Sequence, residues 1–342
     1  MPGSSAEIFI EGKRVDYSTG SLTKQGGNTA SKLVFTVPGD DVTYRKYWGK
    51  EVTFFLDKSD AYPMFRGFIE NADINANYSI TFRALDALGY LTGTDRAKVI
   101  CNDKINVDGC TVGAGLKKMI EIANLTQVGT DYINDTNPVK KMPILRDTVF
   151  ILDTITQQLG EIYNDVDTLL PRQNIIKVID DGKKGQLIFE LLKDVNVTTP
   201  IHSFTYDSNI INFEVRNRKI PTIVTVQGKD ASVSFKHASA IIAFGEHTAN
   251  ISNPTLKSKA ECLDFAQKVF NANVEAKYEY SLTTYEGGYL EENDVINIID
   301  DTTEVEGNFR IVGKTISFGI GSHSISLSIN KQPPLLSQFI NS

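Results

Sequence analysis

Apolar and polar residues alternate in short runs through residues 1–94, a pattern that predicts strands. Ala6–Glu11 alternates, and Leu33–Val37 does so again before Pro38-Gly39-Asp40-Asp41, a turn signal. Val52–Leu56, Met64–Ile69 and Ser79–Phe82 follow, rich in β-branched and aromatic side chains. Ala84–Leu91 then predicts a short amphipathic helix closed by Gly93. The expectation for this segment is an all-β module capped by a helix.

The period changes after Thr94. Val112–Asn124 places Leu116, Met119, Ile120 and Ala123 at helical spacing. Leu145–Leu159 does the same with Val149, Leu152, Ile155 and Leu159, with Asp147 as N-cap and Gly160 as stop. Ile175–Ile179 and Gln186–Leu192 read as strands around Asp180-Asp181-Gly182-Lys183-Lys184-Gly185, which is hairpin turn chemistry. From Ile201 the chain returns to β. Ile210–Val215, Thr222–Gln227, Tyr278–Thr283, Val295–Ile299, Phe309–Val312 and Ser324–Ile329 are expected strands. One helix, Leu256–Asn271, interrupts them, and Pro333-Pro334 ends the expected fold.

Three strands recur in the same order. Val52-Thr-Phe-Phe-Leu-Asp57 matches Val295-Ile-Asn-Ile-Ile-Asp300, Phe65-Arg66 matches Phe309-Arg310, and Ser79-Ile-Thr-Phe82 matches Ser324-Ile-Ser-Leu327. The phenylalanines are 309 − 65 = 244 positions apart. A duplicated small β-barrel-like module flanking α+β material is the expected organisation.

Length and charge then narrow the classes. At about 150 residues per domain, 342 residues suffice for two or three domains. Acidic residues outnumber basic ones by 42 to 35, for a net charge of −7, which argues against a protein built to grip a nucleic-acid backbone. Three cysteines make no disulfide framework. The start Met-Pro-Gly-Ser-Ser-Ala-Glu lacks the basic and apolar regions of a secretory signal. The longest mild apolar run, Ala238–Gly245, is far short of the roughly 18–20 residues of a membrane span. Synthesis in a reducing cytoplasm, without membrane insertion, is the expectation.

Candidate chemistry is sparse. Cys101 and Cys110 are nine apart, where zinc ligands pair at two to four, and the nearest histidine is His202. Cys262 reads as filler of an amphipathic helix. His237 and His247 bracket an apolar, hairpin-like stretch but lack a third ligand. Gly109–Lys118 is glycine-rich before a helix, yet it has neither the Gly-Lys-Ser/Thr of a phosphate loop nor the last Gly of a dinucleotide fingerprint. The acidic pairs Asp40-Asp41, Asp180-Asp181, Glu291-Glu292 and Asp300-Asp301 all fall in turns, where Asp is favoured for backbone reasons. No catalytic, metal or cofactor site is expected, and no enzyme.

Two stretches carry a family resemblance. Met64-Phe-Arg-Gly-Phe-Ile-Glu with Ser79-Ile-Thr-Phe-Arg-Ala-Leu-Asp-Ala-Leu-Gly-Tyr-Leu resembles the first barrel of phage baseplate hub proteins, the Mu-like and related tail hub family. The helix Ser258–Asn271 followed by Tyr280-Ser-Leu-Thr-Thr-Tyr-Glu-Gly-Gly-Tyr-Leu-Glu-Glu-Asn-Asp-Val-Ile-Asn-Ile is similar to the second barrel of that family. There a Leu-x-Pro-Gly-Asp-x-Val turn is usual, and Glu292-Asn293 replaces Pro-Gly before Asp294. Gly307-Asn-Phe-Arg-Ile-Val fits the strand after that turn.

The resemblance implies an α+β, mainly β fold with two similar tube-like β-barrel modules. Residues 1–94 would form the first barrel, completed by 201–217, and 95–200 an α+β middle domain. Residues 218–335 would form the second barrel with a helical insertion at about 236–274, leaving 336–342 as a tail. It further implies a homotrimer whose six modules make a pseudo-sixfold ring in the tail baseplate. That ring would join the tail tube or distal tail ring to the central spike, near the tape measure protein, and pass DNA without specific binding. Arg66, Arg310 and Asp294 are its candidate interface residues, with salt-bridging inside each barrel as the alternative for the two arginines. The alternatives are a tail-associated carbohydrate-binding or adhesion module and a peptidoglycan-processing tail protein using the acidic turns. A single Trp makes a rich sugar platform a poor match.

Overall fold

The computed structural model describes residues 6–25, 29–39, 46–56, 63–75, 78–92, 98–101, 109–134, 142, 147–152, 154–155, 163–164, 171–172, 174–217, 220–252, 256–275 and 278–330. The chain divides into two compact units, each built from separated stretches. The first comprises Met1–Leu192, Thr283–Asp294 and Ile311–Leu327, the second Lys193–Leu282, Val295–Arg310 and Ser328–Ser342. The protein is mainly β with antiparallel pairing dominant, as the sequence pattern implies.

In the first unit, β1 (Ala6–Ile10), β2 (Lys13–Val15), β3 (Thr19–Gln25), β4 (Lys32–Pro38), β5 (Glu51–Leu56), β6 (Phe65–Asn75) and β7 (Ser79–Leu85) join in the order β3-β4-β7-β6-β5-β1-β2. Period-two burial along β1 and β5 turns Ile8, Ile10, Val52, Phe54 and Leu56 inward. Phe35 and Phe82 stack across the sheet at 5.2 Å. Gly67 is required by close approach, since a Cβ there would sit 2.2 Å from the Leu85 carbonyl oxygen. The expected strands are present, and β2 and β3 are additional.

The helix expected over 84–91 shrinks to α1 (Gly89–Thr92). Ala84 is held in β7 by ladders on both sides, opposite Leu33 and Ile69. Asp86 then turns the chain, accepting from the Ser31 and Leu88 amides.

Further along come β8 (Lys98–Cys101), α2 (Val112–Ile122), β9 (Asp147–Phe150), β10 (Tyr163–Asn164), β11 (Pro171–Arg172), β12 (Asn174–Asp180) and β13 (Gly185–Leu191). α2 stands where the spacing puts it, capped by Thr111 Oγ1 at 3.4 Å from the Ala114 amide. The β12–β13 hairpin forms in full register around the Asp-Gly turn. The helix expected from 145 is corrected. Asp147 is no cap but a strand residue opposite Cys101, and helical geometry is found only at 151, 152, 154 and 155 among the described residues. β-Branched Thr148 and Val149 suit the ladder with β8 better than a first helical turn. The expected stop at 159–160 lies outside the described residues. Leu88, Leu91, Leu116, Met119, Ile120, Ile151, Ile155, Ile176 and Phe189 share one buried core.

The second unit holds β14 (His202–Thr205), β15 (Asn212–Asn217), β16 (Ile223–Gln227), β17 (Ser232–Lys236), α3 (Ala238–Phe244), β18 (Thr248–Ser252), α4 (Lys259–Glu275), most of β19 (Tyr278–Thr284) and β20 (Val295–Asp300). β21 (Val305–Gly319) and β22 (Ser322–Asn330) contribute residues to both units. β14, expected to complete the first barrel, instead pairs parallel with β20, matching His202 to Ile296. The stretch expected as a helical insertion also contributes strand β18, which pairs parallel with β16 in a sheet that β17 joins antiparallel from the other side. Val224, Val226 and Ile251 of that sheet bury Cys262, Ala266, Val269 and Phe270 of α4. α4 opens with a capping box, Ser258 Oγ accepting from the Glu261 amide and Glu261 Oε2 from the Ser258 amide. The run between the two histidines is helix α3, not a hairpin; an apolar stretch this short fits either period. His237 caps α3 and stacks on Phe270 at 4.4 Å, while His247 binds the opposite side of the β16 start through its carbonyl.

The strands of the sequence repeat, β5-β6-β7 and β20-β21-β22, are neighbours in the same order. Phe54 faces Phe65, and Ile296 faces Phe309. With the phenylalanines as anchors, Phe54 and Leu56 therefore match Ile296 and Ile298, all buried. The sequence pairing of Val52 with Val295 is one residue out. Val295 and Ile296 are both fully buried, so the apolar pattern there does not set the phase.

Candidate functional site

The β12–β13 turn is stiffened by its own acids. Asp180 Oδ1 accepts from the Gly182 amide at 2.7 Å, and Asp181 Oδ1 from the Lys183 and Lys184 amides, each at 2.8 Å. The Lys184 amide, the Gln186 side chain and the Lys183 amide draw the Asp181 carboxyl down to about 2. Gly182, at φ 86, supplies the left-handed step. This rigid turn aims Asp180 Oδ2 and the Gly182 carbonyl at Arg66.

Arg66 stands on β6 opposite Thr53. Its Nε donates to Asp180 Oδ2 at 2.5 Å, Nη1 to Glu51 Oε1 at 2.6 Å and Nη2 to Gly182 O at 3.2 Å. Arg310 holds the matching place in the second unit, opposite Val295, but is 1% exposed. Its Nη1 donates to the Lys193 carbonyl at 3.1 Å, and Asn308 Nδ2 donates to the Val195 carbonyl at 3.3 Å. In the first unit Asn293 Nδ2 reaches the Leu191 carbonyl at 2.8 Å. Alternate carbonyls of residues 191–195 are thus held by side chains where a strand would use amides.

Each expected interface residue therefore has a partner inside its own unit. Asp294 Oδ2 accepts from the Glu291 amide at 2.8 Å, and its carbonyl accepts from the Ile311 amide. The reading of Arg310 as a surface contact is corrected by its burial. Sequence matching found both arginines but not their distant targets, Asp180 and Gly182 for Arg66 and Lys193 for Arg310, which lie more than a hundred positions away in the chain.

A second node went unseen in the sequence. Lys24 and Lys314 are directly opposed across the β3–β21 ladder, an arrangement that repels by itself. Glu291 lies between them, with Oε2 at 2.9 Å from Lys24 and Oε1 at 3.3 Å from Lys314. Lys314 Nζ also donates to the Gly288 and Leu290 carbonyls. Burial pushes the Lys314 ammonium down to about 8 despite Glu291. Burial pushes Glu291 up, but the two lysines together hold it below the usual carboxylate range. Alongside is a cavity of about 180 Å³ lined by Lys24, Arg66, Lys177, Asp86, Asp180 and Glu291 among others. Asp86, 4% exposed, is raised by burial to about 6.

These carboxylates are committed to amides and cations, not arranged as an acid–base pair. Asp300, in another acidic turn, accepts from the Thr302 amide and the Thr303 hydroxyl. Among the described residues no group of three His, Cys, Asp or Glu could hold a metal ion. Asp40-Asp41 and the Cys101 side chain lie outside the described residues. The chemistry on display fastens segments of one chain together.

No family model and no curated protein matches the chain. Solved structures do. A tail protein from Neisseria meningitidis MC58 superposes with TM-score 0.67 at 13% identity, over 99% of each chain. The 43 kDa tail protein of prophage MuSo2 from Shewanella oneidensis gives 0.65 at 11%, over 97% of this chain and 98% of that one. An Escherichia coli type VI secretion component, described as structurally similar to the T4 tail proteins gp27 and gp5, gives 0.54 at 12%, over 96% and 77%. The chain has the fold of phage tail proteins over nearly its whole length.

Proposed function

We propose that this chain, with the fold of phage tail proteins from one end to the other, is a non-enzymatic baseplate hub of a phage or phage-like tail. The observation that carries the reading is end-to-end superposition on two tail proteins, at 99% and 97% coverage of this chain. The recurrence of one three-strand order supports it, because a trimer with two like modules per chain presents six similar surfaces. In this reading residues 1–94 and 218–335 supply the two tube-like modules and 95–200 the α+β middle domain between them in the chain. The ring joins the tail tube to the central spike, with the tape measure protein nearby, at the virion tail baseplate.

The net charge of −7 suits a conduit that DNA must cross without sticking, since like charge repels over about 8 Å at physiological salt. A lumen lined by Lys and Arg in the assembled ring would refute that part. Light scattering of the purified chain tests the whole: a species near three times 37.9 kDa is expected. A chain that remains monomeric alone and with tube and spike proteins added overturns the reading.

A further inference from the structure

One residue of the second unit fastens both ends of the α3 loop. The His237 amide donates to the Thr222 carbonyl at 3.1 Å, and the Thr222 amide donates to the His247 carbonyl at 2.8 Å. Thr222 Oγ1 donates to the Gly245 carbonyl at 2.8 Å and accepts from the His247 amide at 2.9 Å. Thr222 is fully buried, so residues 237–247 leave and rejoin the unit at one fixed point. Between those ends α3 has little to hold it. Ala240 is its one buried residue, while Ile242 and Phe244 are 87% and 55% exposed. Seven residues are too few to stay helical on backbone bonds alone. What remains is the cap, in which the Ala240 amide donates to His237 Nδ1 at 3.2 Å.

Nδ1 accepts a hydrogen bond only while it carries no proton, and an imidazole changes charge between about pH 5 and 8. The imidazolium has N–H on both nitrogens, so no rotation of the ring offers the Ala240 amide an acceptor. A cation at a helix start also opposes the helix dipole. Phe270, stacked on the ring at 4.4 Å, belongs to α4, so its attraction for a charged ring is the same whether α3 is formed or not. Phe235 of β17 is the other ring beside it, at 6.3 Å. β16 and β18 carry no charged residue, and Asp264 and Lys268 of α4 pair with each other. Lys236, Glu246 and His247 are exposed. We infer that His237 is a proton-sensitive latch: proton uptake at Nδ1 uncaps α3 and frees the apolar run Ala240–Phe244, in a loop that Thr222 keeps closed at its base. The capped form excludes the Nδ1 proton and the open form admits it, so falling pH favours the open form. Opening adds Ala240 and the half-buried Ile241 to the exposed Ile242 and Phe244, which enlarges an apolar patch in acid. The inference does not rest on the hub reading and goes beyond it.

Hydrogen exchange of the full chain, read by mass spectrometry at about pH 8 and about pH 5.5, tests it. Protection factors remove the intrinsic pH dependence of exchange, and β16 and α4 serve as internal references. In the wild type the Ala240–Gly245 amides should lose about fivefold in protection at the lower pH, the scale of one lost cap, while the references hold. His237→Asn keeps an accepting oxygen at the cap but cannot titrate, so its protection should stay high at both values. His237→Ala should be low at both. His247→Gln leaves the backbone tether in place and should respond as the wild type does. Three results overturn the inference: wild-type protection that does not fall, an H237N protein whose protection falls as much as the wild type, or an H247Q protein that no longer responds. A fall shared equally by β16 and α4 would also overturn it, since the whole unit would then be loosening and not the loop.

Discussion

Arg66 and Arg310 occupy matching places in two strand pairs, each one step past a buried phenylalanine, and each holds a stretch of chain from outside its hairpin. They do so in different media. The Arg66 side chain is 12% exposed and shared between two carboxylates, whereas Arg310 is 1% exposed and donates to a backbone carbonyl. The first contact is electrostatic and partly wetted. The second depends on geometry around a buried guanidinium, and losing that donor leaves a half-buried backbone acceptor without it. The same residue at the same strand position thus contributes a tunable ion pair in one unit and a fixed structural pin in the other.

The largest expected effect comes from the buried arginine. R310A should cost about 4 kcal/mol in urea unfolding, the scale for removing one partner of a buried charged contact, with a cavity added. A cost no greater than that of R66A would erase the contrast. The next effect lies beside Arg66. Asp86 is raised from 3.8 to about 6, so between those pH values the folded state keeps a proton that the unfolded state has lost. Stability should therefore fall by about 3 kcal/mol as pH rises through that window and level off above it. Melting curves of wild type against D86N, taken across pH 4 to about 7, should show that component vanish in the variant.

R66A should cost less, about 2 kcal/mol, because Glu51 is 34% exposed and water replaces much of what is lost. The smallest difference is in salt. At 1 M salt the screening length drops to about 3 Å. The penalty of R66A should then shrink by roughly 0.5 kcal/mol while that of R310A holds. Equal salt sensitivity in paired denaturation series would mean that Arg310 also works through charge.

Much of the fold was legible because its elements announce themselves locally. The β12–β13 hairpin is two apolar runs around Asp-Gly chemistry, and α2 and α4 carry clean helical spacing. β3 stayed hidden for the opposite reason: Thr19-Gly-Ser-Leu-Thr-Lys-Gln offers one fully buried side chain, Leu22, and becomes a strand only because β4 and β21 flank it. Lys24 and its role vanished with it. Asp147 showed the weakness of cap signals, since a residue favoured at helix starts is also tolerated in a ladder that tertiary pairing imposes. The arginines were visible, but what they grip is set by contacts too distant in sequence for any local pattern to encode.

The pairing of Lys24 with Lys314 has a temporal consequence. These ladder partners are 314 − 24 = 290 positions apart, so β3 waits for its neighbour while the ribosome adds the intervening chain, about 15–60 s at ordinary elongation rates. Throughout that interval one flank of the nascent sheet is open to misassociation, and the ordering of the first unit is a late, high-contact-order event. Such a chain benefits from a chaperone during translation more than after release.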